Sequence, residues 1–224
     1  MENQSRQKVF KPYIANNINM LPGNPKGLPD ESFNSTSVFI DAGFLEKLSK
    51  HFGKGKYLKF DRLNFSKNLA IKENLKCKRI FYYTAPPFQS DIPTEQEEKR
   101  KEGYDQFIEK LRKKEIIVQE GRCQKLKING KEEFHQKAVD ILLAMDLMEL
   151  LIQKDIKKII LISSDSDFVP IIKKLEENNI KTILFTYYEK KRDTILSRSN
   201  HLIKSVHKYK LLTKQDFEDS PLEK

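Results

Sequence analysis

The chain has 224 residues, of which 33% are charged and 38% are hydrophobic, and its formal net charge at pH 7 is +10. This balance excludes a chain that is disordered throughout, and the length allows one sizeable α/β domain with extensions. No apolar run of 18 residues and no signal-peptide segment is present, which predicts a soluble, cytoplasmic protein.

The positive charge is concentrated in two basic segments. Residues 47–80 carry a net charge of +9 and residues 181–210 carry +6, whereas the rest of the chain sums to −5. Such a separation is the footprint expected for binding a polyanion. General lysine enrichment, which would give only solvated faces, explains the charge equally well. The two cysteines, Cys77 and Cys123, lack metal-ligand spacing and are predicted to be reduced thiols rather than zinc ligands.

Predicted strands alternate with predicted helices along the chain. Short apolar or aromatic runs indicate six strands, at residues 37–40, 79–83, 116–118, 159–162, 183–185 and 202–206. Apolar residues at helical spacing follow most of them, and Asn129-Gly130 indicates a hairpin-like or irregular insertion over 121–131. This alternation predicts an α/β fold with a central, mostly parallel sheet and helices on both faces. The predicted divisions are an N-terminal extension (1–34), one domain (35–212) and a charged C-terminal tail (213–224).

The segment after the fourth predicted strand carries the strongest functional signal. The strand runs directly into Ser163-Ser164-Asp165-Ser166-Asp167. In open α/β sheets, ligands bind just beyond the carboxyl ends of the strands. Two carboxylates at that place form an oxygen-only pocket that suits Mg²⁺ or Mn²⁺. The alternative is helix capping, because a helix start favours Ser or Asp and Pro170 fits its first turn.

Other carboxylates are predicted near the same edge of the sheet. Asp41 ends the first strand and would meet the acidic pair if the first and fourth strands are neighbours, although it could simply be a turn or cap residue. Asp140 lies near the start of an apolar, and therefore presumed buried, helix and would point toward the strand ends. Lys137 could pair with it instead. Asp146, about 120° away on that helix, is predicted to be structural or solvent-facing.

Three motifs, taken together, resemble the NYN family, LabA-like members of the PIN-like nuclease superfamily. They are Val38-Phe39-Ile40-Asp41-Ala42-Gly43, then Lys137-Ala138-Val139-Asp140-Ile141-Leu142-Leu143-Ala144-Met145-Asp146, then Ser163-Ser164-Asp165-Ser166-Asp167-Phe168. The resemblance covers about residues 35–212. It implies a PIN-like three-layer sandwich and Mg²⁺- or Mn²⁺-dependent cleavage of RNA. It also implies a catalytic and metal-binding set of Asp41, Asp140, Asp165 and Asp167. One departure is Phe44, where many relatives have Asn.

The sequence therefore predicts a metal-dependent ribonuclease that acts on single-stranded or structured RNA, with endonuclease action favoured. Whether the protein forms a homo-oligomer is left open. Candidate substrate-binding residues are Lys137, Ser164, Tyr187 and Tyr188. Tyr187 and Tyr188 could stack on bases. Alternatively, at least one of them packs in the core at the end of the strand, because neighbouring side chains alternate faces. Among the histidines only His135 is near an acidic candidate, and an exposed polar role is favoured for it.

Two other functions remain open. A non-catalytic RNA-binding or regulatory module would be expected to have lost one or more of the four acids, and none is lost. A haloacid-dehalogenase-like phosphatase is suggested by residues 165–169, which match its Asp-x-Asp-x-(Thr/Val) motif. That motif normally opens its domain, whereas only 55 residues follow Val169 here.

Overall fold

The computed structural model describes residues 35–128, 130–153, 156–189, 196 and 198–222. The predicted N-terminal extension (1–34) lies outside the described residues. The strands are β1 (Ser35–Asp41), β2 (Lys76–Thr84), β3 (Ile117–Glu120), β4 (Arg122–Ile128), β5 (Lys131–Lys137), β6 (Lys158–Ile162), β7 (Lys181–Thr186) and β8 (Lys208–Leu211). The helices are α1 (Ala42–Phe52), α2 (Arg62–Ile71), α3 (Glu95–Lys113), α4 (Val139–Gln153), α5 (Val169–Glu177), α6 (Asn200–Ser205) and α7 (Lys214–Glu218), with a 3₁₀ helix at Ser166–Phe168.

Six parallel strands form the central sheet in the order β3-β2-β1-β6-β7-β8. Strands β4 and β5 form a separate antiparallel hairpin. The side chains of β1 alternate between two cores: Val38 and Ile40 pack with α1, α2, α3 and α7, and Phe39 packs with α4, α5 and α6. The predicted three-layer α/β sandwich is therefore confirmed.

The sheet reverses its strand order between β1 and β6. The chain builds outward from β1 to β2 and β3, and α4 then returns it to the other side of β1, where β6 pairs with β1. Ile40 is directly opposite Ile162 in this pair. The residues that follow them, Asp41 and Ser163, consequently leave the sheet side by side, so the condition on which the sequence predicted that Asp41 meets the acidic pair is fulfilled.

Helix α4 is buried on one side only, so the expectation of a buried helix was wrong. Its inner face is formed by Val139, Leu143, Leu147 and Leu150. Its outer face exposes large apolar side chains, among them Ile141, which is 63% exposed. No helix in the described part of the chain is long and apolar enough to cross a membrane.

The C-terminal part differs from the prediction in two places. The apolar run at 202–206, predicted as a strand, is mostly helix α6, because the Ser199 hydroxyl accepts the N–H of Leu202 at 3.3 Å and caps it. The sixth strand of the sheet, β8, comes just after this run. Residues 213–224 were predicted to be a charged tail, but residues up to Ser220 belong to the folded domain. Phe217 of α7 is 1% exposed and packs on Phe60 and Phe65.

Candidate active site

Asp41 lies at the junction of β1 and α1, and both of its carboxylate oxygens accept hydrogen bonds. Oδ1 accepts the backbone N–H of Phe44 at 3.1 Å, which caps α1. Oδ2 accepts the hydroxyl of Ser163 at 3.1 Å. The capping role and a role in a site are thus compatible, because a carboxylate has about four acceptor positions and these two bonds use only part of them.

The acidic pair after β6 divides into a capping residue and an exposed residue. The Ser163 hydroxyl, which is fully buried, accepts the N–H of Asp165 at 3.1 Å. Oδ1 of Asp165 in turn accepts the N–H of Asp167 at 2.9 Å and caps the 3₁₀ helix. Asp167, which lies within this 3₁₀ helix, is exposed to solvent. The capping interpretation therefore accounts for one of the two carboxylates.

Asp140, in the first turn of α4, completes the cluster. Its pKa is raised chiefly because partial burial penalises its charged form, and secondly because the negative charges of Asp165 and Asp167 lie close by. Burial likewise raises the pKa of Asp41, and the charge of Asp140 adds to that rise. The four predicted acids therefore share one electrostatic environment at the carboxyl edge of the sheet. In the part of the chain that the structure describes, Lys137 is exposed and makes no ion pair with Asp140.

The oxygen ligands at this edge fit a hydrated divalent ion rather than a closed metal site. Among the described residues, no three His, Cys, Asp or Glu side chains converge into a metal-binding group. The donors are nevertheless carboxylate and hydroxyl oxygens, which Mg²⁺ and Mn²⁺ prefer. Mg²⁺ usually keeps several waters and takes only one or two carboxylates together with substrate phosphates. Burial is the main reason that the pKa values of Asp41 and Asp140 are raised, and neighbouring carboxylates add to both rises, so a cation would favour their charged forms.

Three residues near the acids were not singled out from the sequence. Lys47, on α1, lowers the pKa of both Asp41 and Asp140. A Cβ atom added to Gly43 would lie 3.3 Å from Oδ1 of Asp41 and 3.5 Å from Oε1 of Gln136. The Gln136 side chain therefore extends from β5 to the neighbourhood of Gly43 and Asp41. Gly43 ends the first of the three motifs, and its spacing of four residues from Lys47, which puts both on one helical face, is a signal that could have identified Lys47.

The predicted substrate-binding tyrosines have different surroundings. Tyr187 packs against Phe52 with ring centroids 5.0 Å apart, and its hydroxyl lies 3.2 Å from Nε2 of His51. Tyr188 has the guanidinium of Arg198 5.1 Å from its ring centroid. Tyr187 thus contributes to packing at the edge of the core, whereas Tyr188 presents a ring beside a cation.

The remaining candidates lie around the cluster or outside it. Ser164 is half-buried beside Ser163. The ring of His135 lies 3.1 Å from Oε2 of Glu133, its neighbour on the same face of β5, as expected for an exposed polar residue. Phe44 is 4% exposed and packs in the core, so it offers the site only its backbone N–H.

Part of the positive charge holds the fold together. Lys208 and Lys210 of β8 both pair with Glu73 at 2.7 Å. Lys72 pairs with Asp216 at 2.7 Å, which ties α2 to α7. Counting lysines in the two basic segments therefore overstates the charge that is free to bind a polyanion.

The sequence matches the NYN domain family over residues 35–206. The crystal structure of a protein of unknown function from Vibrio parahaemolyticus RIMD 2210633 has a similar fold, with a TM-score of 0.56 and 16% identity over 85% of this chain and 99% of that chain. At this identity the likeness shows the fold alone. No curated protein matches the sequence. Because the family match spans about three quarters of the sequence, the chain belongs to the NYN family of PIN-like, nuclease-type domains.

Proposed function

We propose that this protein is a Mg²⁺- or Mn²⁺-dependent ribonuclease, with Asp41, Asp140, Asp165 and Asp167 as its metal-binding and catalytic residues. The single observation that carries the proposal is the link through Ser163, which joins Asp41 to the Asp165 segment at the β1–β6 edge of a nuclease-type domain, with Asp140 close enough for its charge to act on Asp41. Mutually repelling carboxylates at a ligand-binding edge cost stability unless a cation occupies the site, which makes a purely structural role a poor explanation.

The chain's own residues would hold the ion and the RNA in place. A bound divalent ion supplies a water of lowered pKa and polarises the phosphate. The two hydrogen bonds to the Asp41 carboxylate fix its orientation, so the lone pairs that remain free would be held in place for an ion. Asp140 and Asp167 are both accessible to solvent, and the charge of Asp167 contributes to the raised pKa of Asp140. Lys47 places a positive charge beside this acidic edge, where it would attract a phosphate that the carboxylates alone would repel.

Phosphodiester hydrolysis by this route leaves a 5′-phosphate and a 3′-hydroxyl. Endonuclease action is the form of cleavage that we propose, and circular RNA tests it. The phosphatase alternative has no support from the family match, because that match is to a nuclease-type domain over the same residues. A non-catalytic module remains the second candidate, favoured only by Phe44 in place of the polar residue that many relatives carry.

The test is to incubate the purified full chain with linear RNA, circular RNA and DNA in Mn²⁺, Mg²⁺ or EDTA and to map the product ends. The Asp41→Asn/Asp140→Asn protein, purified in parallel, controls for contaminating nucleases. We expect metal-dependent cutting of linear and circular RNA by the unsubstituted chain alone. Full activity in EDTA would contradict the mechanism, and RNA binding without cleavage would favour the non-catalytic module. Hydrolysis of a chromogenic phosphomonoester would favour a phosphatase.

A further inference from the structure

We propose that the β4–β5 hairpin and Phe88 form a subsite where unstacked nucleobases bind, and that single-stranded RNA is therefore the substrate class. This inference rests on the proposed function. The subsite is an aromatic and basic surface that begins beside Asp41 and continues outward along one face of the hairpin.

Pairing within the hairpin determines which residues share that face. Gln136 is opposite Cys123, and Phe134 is opposite Lys125. Because side chains alternate along a strand, these four project from the same face, and Phe134 stands about 7 Å along β5 from Gln136. Gln136 approaches Gly43 next to Asp41, so the face joins the acidic cluster directly.

An aromatic pair lies at the outer end of this surface. The rings of Phe88 and Phe134 have centroids 5.6 Å apart and are inclined by 48°. Phe134 is nevertheless 53% exposed, so its ring is only partly covered by Phe88. A flat apolar partner that covers the exposed ring of Phe134 is favoured, because it removes apolar surface from water.

The charges around the pair favour a nucleic acid as that partner. Nζ of Lys125 lies 5.8 Å from the Phe88 ring centroid and 2.6 Å from Oε1 of Glu132. On the face that carries Phe134, the hairpin places two lysines, Lys125 and Lys127, against one glutamate, Glu132. An exposed ring with lysines beside it, next to an acidic site that suits a metal ion, can hold a single strand, with a base on the ring and phosphates near the cations.

This geometry discriminates between single-stranded and duplex RNA. A base can cover Phe134 only when its own face is free, and in an A-form duplex both faces of each base are stacked. Single strands, loops and ends expose their bases and would fit. The hairpin would thus hold an unpaired stretch about one or two nucleotides from the acids, given the 7 Å step along β5.

Binding is best measured where no cleavage occurs, so the test uses the full chain with Asp140→Asn in EDTA. Fluorescence anisotropy would compare a labelled single-stranded RNA with a duplex of the same sequence. Phe134→Leu keeps an apolar side chain but removes the ring, and Tyr209→Leu is the control on the far edge strand β8. We expect Phe134→Leu to weaken single-strand binding about tenfold, with duplex binding and the melting temperature little changed, and Tyr209→Leu to have no effect.

A second readout covers the case in which Phe134→Leu misfolds. 2-Aminopurine in the single strand should lose fluorescence on binding to the Asp140→Asn protein, and Phe88→Leu should restore much of it. Equal affinity for single strand and duplex would overturn the proposal. Unchanged RNA affinity for Phe134→Leu would also overturn the proposal. A lower melting temperature would then assign the Phe88–Phe134 pair to hairpin packing, and an unchanged melting temperature would favour a protein partner. Stacking without any cleavage by the unsubstituted chain would refute the ribonuclease and leave this subsite standing.

Discussion

The buried hydroxyl of Ser163 donates a hydrogen bond to Oδ2 of Asp41 at 3.1 Å, across the β1–β6 pair. The same hydroxyl accepts the N–H of Asp165. One small side chain therefore fixes the distance between the two acidic segments of the cluster. Burial raises the pKa of Asp41, and the hydrogen bond from Ser163 opposes that rise.

Ser163→Ala should disturb both the fold and the titration of the site. The N–H of Asp165 loses its acceptor, and we expect the free energy of unfolding to fall by about 1–2 kcal/mol. The pKa of Asp41 should rise further, so the acidic limb of the activity profile should move to higher pH. Urea denaturation and a pH–rate profile measure the two effects. An unchanged acidic limb would show that Asp41 does not titrate in the active enzyme.

Asp140→Asn should abolish most of the activity while leaving the metal-free fold equally or more stable. The substitution keeps the shape of the side chain but removes a charge that raises the pKa of Asp41 and that a cation would need. Cleavage rates and thermal melts with and without Mn²⁺ test this. A destabilised but fully active variant would remove Asp140 from the site.

Asp146→Asn is the matched control for Asp140→Asn on the same helix. Asp146 accepts the hydroxyl of Tyr83 at 2.7 Å and Nε2 of Gln119 at 3.3 Å, so its role is structural. Asparagine keeps an oxygen that can accept the Tyr83 hydroxyl, and burial raises the pKa of Asp146, so the charge that is removed was itself unfavourable. We expect a change in stability of less than about 1 kcal/mol and unchanged activity per folded molecule.

The pH dependence of stability should report the cost of ionising Asp140, which comes from its burial and from the neighbouring carboxylates. The pKa of Asp140 is raised above its ordinary value of 3.8, so the folded state binds this proton more tightly than the unfolded chain does. The associated stabilisation is complete below about pH 3.8 and is lost as the pH rises through the raised pKa. In EDTA, the melting temperature of the unsubstituted chain should therefore fall relative to that of Asp140→Asn between pH 4 and pH 7. Mn²⁺ should reduce the difference; parallel curves would contradict the raised pKa.

The acidic edge could be predicted because it follows from local sequence. Buried parallel strands appear as apolar runs, and Asp41 and Ser163 come directly after two of them. Helix α2 was not identified, because its buried Phe65 and Leu69 stand among polar residues without a clear apolar stripe. Lys47 could not be distinguished among 42 lysines and arginines. Gln136 comes near Asp41 only because the hairpin folds toward α1, a tertiary contact that no local pattern encodes.

Lys47 and Lys208 should respond differently to removal of their charge. Lys47→Gln takes a cation from beside the acids, and we expect weaker RNA binding and a slope of log affinity against log salt that is smaller by about 0.7–0.9. Lys208→Gln removes one of two lysines that neutralise Glu73 and should lower stability without changing the slope. Anisotropy titrations at several salt concentrations measure both slopes. Equal slopes for all three proteins would mean that Lys47 does not contact a phosphate.

Ala138→Gly should stabilise the protein without loss of activity. Ala138 joins β5 to α4 with φ at +68°, a left-handed conformation that costs a residue with a Cβ about 1–2 kcal/mol. Its carbonyl accepts the N–H of Leu142 at 3.0 Å, so this strained residue begins the helix that carries Asp140.

Glycine adopts the same conformation freely, although the greater freedom of the unfolded chain offsets part of the gain, and we expect a net increase of about 1 kcal/mol in the free energy of unfolding. Asn74→Gly, at φ +56°, is the control and should gain less, because asparagine tolerates this region. Urea denaturation measures both variants. Lower stability of Ala138→Gly would mean that the alanine methyl group makes a favourable contact that outweighs its strain. Lost activity at full stability would mean that the fixed backbone at Ala138 holds Asp140 in its working position.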